Sequence, residues 1–311
     1  MTSATQGVVP TPVQGVHEQP MGTRRRSAKG VGEDAGGANW LVKIALIVIC
    51  FLWIVPVIGL LVTSFREQDA ANTSGWWTAL ASPLDFTIAN YAEVAQGGMG
   101  RALVNSLAIT LPATIIPIMI AAFAAYAFTF LEFKGRDVLF VVVVSLLVVP
   151  NHIALVPLLR LYGDLGMVGT FPAVWLAHIG FGMPLAIFIL RNYMASLPGS
   201  LIESAKIDGA SHFATFWRLV VPLSVPALAS FAIFQFLWVW NDLLVATVFL
   251  GNTREQLVMT GLLRELMGSR GGEWEILATS AFISIAVPLL VFFAMQKYLV
   301  RGLLAGSVKG G

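Results

Sequence analysis

The hydrophobic positions fall in long unbroken runs rather than in alternation. The first run extends from Ile44 to about Phe65 with no charge inside it. The second, Ala102 to Leu131, is thirty residues without Asp, Glu, Lys or Arg. Others cover Val138 to Leu159, about Thr170 to Leu190, Pro222 toward Phe249, and Ile276 to Gln296. A membrane-spanning helix needs about 20 mostly apolar residues. The pattern therefore predicts an all-α integral membrane protein with six transmembrane helices. A short loop, Arg160 to Gly169, separates the third and fourth, and Asn241-Asp242 interrupts the fifth and leaves its end open.

Three regions follow. Residues 1–39, rich in Gly, Pro, Thr and Gln, read as a disordered cytoplasmic tail. Residues 40–300 hold the six helices, and residues 301–311 form a C-terminal tail. The first run is too long for a signal peptide, whose apolar core is about 7–15 residues. Arg24-Arg25-Arg26 is a poor twin-arginine signal, because Glu33 and Asp34 stand between it and the apolar segment.

Basic residues set the orientation. With the N-terminus inside, six spans return the C-terminus to the same side. Of the 19 Lys and Arg residues, thirteen then lie inside, among them Lys134, Arg136, Arg191, Lys206 and Arg218. The six outside are Arg66, Arg101, Arg160, Arg254, Arg264 and Arg270.

Composition agrees. Charged residues are 12%, against about 25% in soluble domains, too few to cover a soluble surface. The net charge of +2 does not suggest a nucleic-acid binder. The single cysteine, Cys50, excludes an intrachain disulfide and a CxxC motif. In its apolar run it reads as a small buried hydrophobe. No His/Cys/Glu cluster has metal-site spacing. No Gly-x-Ser-x-Gly elbow occurs, so no catalytic residue is assigned.

Many of the 15 prolines, including Pro112, Pro117, Pro150, Pro184 and Pro288, fall in or beside spans. Each removes a backbone donor and favours a kink, which suits a moving transporter. Polar residues inside spans are costly. Asn151, His152, His178, Gln235, Asn241 and Asp242 are candidates for a translocation path. Each also has a plain reading as a helix–helix hydrogen bond or an interfacial group, and Asp242 as a cap or break in the fifth helix. Only Asp242 carries a formal charge at neutral pH, which favours a neutral polar solute over protons or ions.

The segment of about residues 191–222 reads as two short cytoplasmic helices with a turn. Pro198 suits a first helical position, Gly209 a positive-φ turn, and Ser211 a cap. Leu201, Ile202 and Ala205 give the first helix an apolar face. Phe213, Phe216, Trp217, Val220 and Val221 follow helical spacing on the second. Physically such an element is either a docking knob for a partner or a slab along the inner leaflet.

Here a resemblance enters. Glu203, Ser204, Ala205, Asp208, Gly209 and Ala210, followed by Leu219, Val221 and Pro222, resemble the EAA motif of bacterial ABC importer permeases. Ser204 and Val221 depart from its Ala and Leu. Trp240-Asn241-Asp242 and the ending Gly302 to Gly310 resemble the carbohydrate branch, in particular the MalG-like subunits of maltose-type importers.

The resemblance implies a type I ABC importer permease fold in the bacterial plasma membrane. It further implies a second permease subunit, an ABC ATPase dimer docked on the coupling loop, and an extracytoplasmic sugar-binding protein that sets most of the selectivity. The solute is then a sugar, an α-glucoside or another di- or oligosaccharide. A permease for glycerol phosphate or peptide, or a stand-alone carrier, are the alternatives. By the same resemblance the outer loop of about Asn252 to Glu275 reaches toward the binding protein, and residues 301–311 contact the ATPases. The chain has no Gly-Lys dipeptide and so no Walker A motif. ATP is expected on the partner subunits, and no cofactor on this chain.

Overall fold

The computed structural model describes residues 35–81, 86–269 and 272–307. Residues 1–34, with Arg24 to Arg26, and residues 308–311, which end the C-terminal motif, lie outside them. The chain divides into two units at 53/54. In the first, residues 35–53 are helical; Ile47, Phe51 and Trp53 are exposed. Cys50 is exposed too, contrary to its reading as a buried hydrophobe. Apolar exposure of this kind is not penalised in lipid.

The second unit carries the remaining elements. Helix α1, Ala35–Ser64, contains the 53/54 boundary, and α2, Gln68–Thr73, follows it. Helix α3, Ala89–Val94, leads through a π-turn with Gly98 at φ 100° into α4, Gly100–Phe130. The second span thus has an N-terminal extension that the apolar run does not reveal. The third span is not one helix: α5, Arg136–Ser145, and α6, Asn151–Asp164, meet at 99°. Pro150 lies between them, with no N–H to continue α5. Helix α7 is Phe171–Met194. The fifth span ends at Trp240 as α10, Val221–Trp240, and the chain resumes as α11, Leu244–Phe249. Helices α12, Met259–Ser269, and α13, Trp274–Ser307, complete the chain. Helix α13 runs on to Ser307, so residues 301–307 continue a helix rather than start a separate tail. Among the described residues, five helices are long and apolar enough to cross a membrane, six if the bent pair counts as one span.

Helices α4, α7 and α10 form the centre, with α13 against α10. Ala113, Ala121, Ala122 and Ala125 of α4 and Ala173, Ala177 and Ala186 of α7 are buried. Small residues let helix backbones approach closely where lipid removes the hydrophobic drive.

The prolines decide how these helices are tied together. A proline at i+4 leaves carbonyl i without its helical donor, a deficit that neighbouring helices can fill in a membrane. Pro112 releases the Ala108 carbonyl, and Trp175 Nε1–H of α7 donates to it at 2.9 Å. Pro117 releases Ala113, and Gln235 Nε2 of α10 donates to it at 3.1 Å. Pro288 releases Ser284 in α13, and Trp240 Nε1–H donates to it at 3.2 Å. Three proline sites are thus cross-bolted by side chains of adjacent helices.

Candidate functional site

The segment of about residues 191–222 folds as two short helices. Helix α8, Gly199–Ile207, begins after Pro198, which stands one position earlier than expected, as the N-cap. Gly209 takes φ 74°, a conformation costly for residues with a Cβ. Ser211 Oγ accepts from the Ala214 N–H at 3.3 Å and caps α9, His212–Thr215. A π-turn, Phe216–Val220, joins α9 to α10.

One face of this segment is anchored and the other is free. Ile202, Phe216 and Val220 are buried. Phe216 stacks on Phe123 of α4 with centroids 4.5 Å apart, and the Tyr126 hydroxyl lies 3.1 Å from His212 Nδ1. Glu203, Ser204, Asp208 and Gly209 are exposed, while Ala205 and Ala210 are half-buried. The expected single apolar face on the second helix divides. Phe216 and Val220 turn inward, but Phe213 is 69% exposed. Ile207, a residue that helical spacing did not single out, is 85% exposed. Glu203 sits in the middle of α8.

The six polar candidates in the spans separate into groups. His178 and Asp242 come together, with His178 Nε2 3.7 Å from Asp242 Oδ2. The same carboxylate oxygen accepts from the Ala246 N–H at 3.1 Å, and the Asp242 carbonyl accepts from Thr260 Oγ1 at 2.8 Å. Asp242 therefore ties the α10–α11 break to the start of α12. Gln235 is fully buried and also reaches the His178 carbonyl, at 3.4 Å. Gln235 and Asn151 line one cavity of about 380 Å³ between the α5–α6 break, α7 and α10. His152 and Asn241 are exposed, and Asn241 bonds only back to Leu237 of its own helix.

The segment after α11 is pinned rather than loose. Asn105 of α4 donates to the Glu255 and Leu257 carbonyls, both at 2.9 Å, and Ser106 Oγ accepts from the Met259 N–H at 2.8 Å. This contact lies near the N-terminal end of α4, and Tyr126 near the other. Twenty residues at 1.5 Å each separate the two by about 30 Å, so α4 spans from the α8–α9 segment to the opposite end of the bundle.

Sequence reasoning missed Tyr126, Trp238 and Gly180. The last had a signal: Pro184 stands four residues after it.

Residues 116–304 match the family described as binding-protein-dependent transport system inner membrane component. The osmoprotective compounds uptake permease protein GgtD of Synechocystis is 54% identical over 86% of this chain and 91% of its own length. The alpha-glucoside transport system permease protein AglG of Rhizobium meliloti is 44% identical, over 88% of this chain and 98% of its own. The trehalose/maltose transport system permease protein MalG of Thermococcus litoralis is 32% identical, over 87% and 96%. A chain of a bacterial alginate ABC transporter, solved with an alginate pentasaccharide-bound periplasmic protein, superposes with a TM-score of 0.61 at 16% identity, covering 83% of this chain and 93% of that one. That likeness concerns the fold. The chain belongs to the inner-membrane components of binding-protein-dependent transport systems, as a multi-pass permease subunit.

Proposed function

We propose that this chain is one of two permease subunits of an ATP-driven importer that carries a neutral α-glucoside-type sugar into the cell. An ABC ATPase dimer docks on the segment around Glu203 to Ala210, and an extracytoplasmic binding protein delivers the sugar. Both termini are cytoplasmic, in keeping with the thirteen-to-six distribution of basic residues.

The observation that carries this reading is the coupling segment. Its inner face is locked to α4 through Phe216 and Tyr126. Ile207 and Phe213 are exposed, as are Glu203 and Asp208. Exposed apolar groups rimmed by charge mark a contact surface. An element held this way transmits a rigid-body motion of its partner into the bundle. The sugar class is supported by the α-glucoside and trehalose/maltose permeases among the relatives. It is also supported by the absence of ionisable side chains around the 380 Å³ cavity, which disfavours glycerol phosphate.

Affinity purification of this chain in mild detergent tests the reading. Recovery of an ATPase, a second permease and a sugar-binding protein is expected. Sugar uptake that persists after deletion of that ATPase would sink it in favour of a stand-alone carrier.

A further inference from the structure

The cavity between α5–α6, α7 and α10 is lined by more polar groups than the Asn151 and Gln235 amides. Pro184 lacks the N–H that would have bonded the Gly180 carbonyl, and both residues line the cavity. The three carbonyls released by Pro112, Pro117 and Pro288 each receive a side-chain donor. No side chain among the described residues donates to that of Gly180. The indoles of Trp175 and Trp240 both donate. The half-buried Trp238 indole, which lines the cavity, has no acceptor among the described residues. A half-buried indole N–H normally finds one. Gln235 uses its Nε2 on Ala113 and His178, while its Oε1 accepts from no described residue. Asn151 has no side-chain partner among the described residues either.

Groups with no side-chain partner among the described residues therefore gather on one wall system: Trp238 and Asn151 as donors, Gly180, Gln235 and Asn151 as acceptors. Phe181, Phe234 and Trp238 supply aromatic faces. The volume, about 380 Å³, lies within the ~300–1,000 Å³ of small-molecule sites. A ligand that fits must be uncharged, carry several hydroxyls, and have an apolar face for the rings.

We propose that this cavity is a sugar-ring subsite on this chain itself, binding one ring of the transported saccharide through Asn151, Gly180, Gln235 and Trp238. The inference rests on the sugar-importer reading and adds where on this subunit the sugar is held. Gln235 belongs to both the subsite and the α4 cross-bolt. A sugar hydroxyl donates to its Oε1 while Nε2 keeps the Ala113 carbonyl, so one side chain serves the subsite and the cross-bolt together.

The test uses the full importer in lipid vesicles, with Cys50→Ser and Ala154→Cys in this chain; Ala154 lines the cavity. Modification by a small maleimide is followed on this chain, with trehalose, maltose and sucrose as probes. At ten times its half-protecting concentration a transported sugar slows modification about tenfold. Trp238→Phe, which keeps a ring and removes the donor, raises the half-protecting concentration about fivefold, the weight of one hydrogen bond. Should the Ala154→Cys chain not assemble, Leu147→Cys, on the same cavity, serves as reporter. Uptake of the same sugars by the Cys50→Ser importer separates the outcomes. Uptake without protection, or protection that follows lipid composition and ignores sugar, overturns the subsite alone. Uptake of none of the three overturns the sugar reading and this inference with it.

Discussion

Gln235 donates its side-chain amide to the Ala113 carbonyl across 3.1 Å. That carbonyl is the one Pro117 strips of its helical donor, so one residue of α10 completes the backbone of α4. Removing the amide leaves a buried acceptor unpaired, at a cost of ~1–3 kcal/mol. Gln235→Leu is expected to lower the Tm of the purified complex by several degrees. An unchanged Tm would show that the contact is incidental.

Gly182 and Gly180 make a contrasting pair. A Cβ on Gly182 would stand 2.6 Å from Gln235 Oε1 and 3.0 Å from its Cδ. A Cβ on Gly180 meets nothing within 4 Å. Gly182→Ala is therefore expected to displace the Gln235 amide and lower Tm about as much as Gln235→Leu does, whereas Gly180→Ala leaves Tm unchanged. Equal effects at both positions would contradict this placement of Gln235.

Orientation is checked by thiol labelling in a Cys50→Ser background. Asn72, Met267 and Ser200 are exposed. An impermeant reagent added outside intact cells should modify Asn72→Cys and Met267→Cys and spare Ser200→Cys. Modification at position 200 would reverse the topology and remove the docking argument.

Tyr126 links α4 to the coupling segment through His212. Tyr126→Phe keeps the ring contact with Phe216, whose centroid lies 5.4 Å away, and removes the hydrogen bond, worth ~1 kcal/mol. The expected result is more ATP hydrolysed per sugar imported, with ATPase co-purification retained. An unchanged ratio would remove Tyr126 from the transmission path.

Much of the architecture was legible because lipid enforces long apolar runs, and runs are read directly from sequence. The turn of the coupling segment was legible as well: Gly209 and Ser211 stand where a positive φ and a cap are needed. The 99° break was not, since hydropathy is blind to direction and the run passes through Pro150 unaltered. Helix α12 left a trace that went unread, with Met259, Leu262, Leu263 and Leu266 at i, i+3, i+4 and i+7. The cross-bolts were hidden for a different reason. Proline shows which carbonyl is released, but the donor, Trp175 for Ala108 or Gln235 for Ala113, lies 67 or 122 residues away. Only packing brings the two together.

The central claim is that the exposed segment from Glu203 to Ala210 passes ATPase motion to the spans. Binding-protein-stimulated ATP hydrolysis, measured in vesicles that carry Gly209→Val or Glu203→Lys, tests it most directly. Valine at φ 74° strains the turn by ~1–2 kcal/mol and blocks the docking face, and lysine reverses the charge offered to the ATPase. The account predicts that both variants reach the membrane, recover less ATPase on purification, and lose stimulation and uptake. Normal stimulation in both would contradict it.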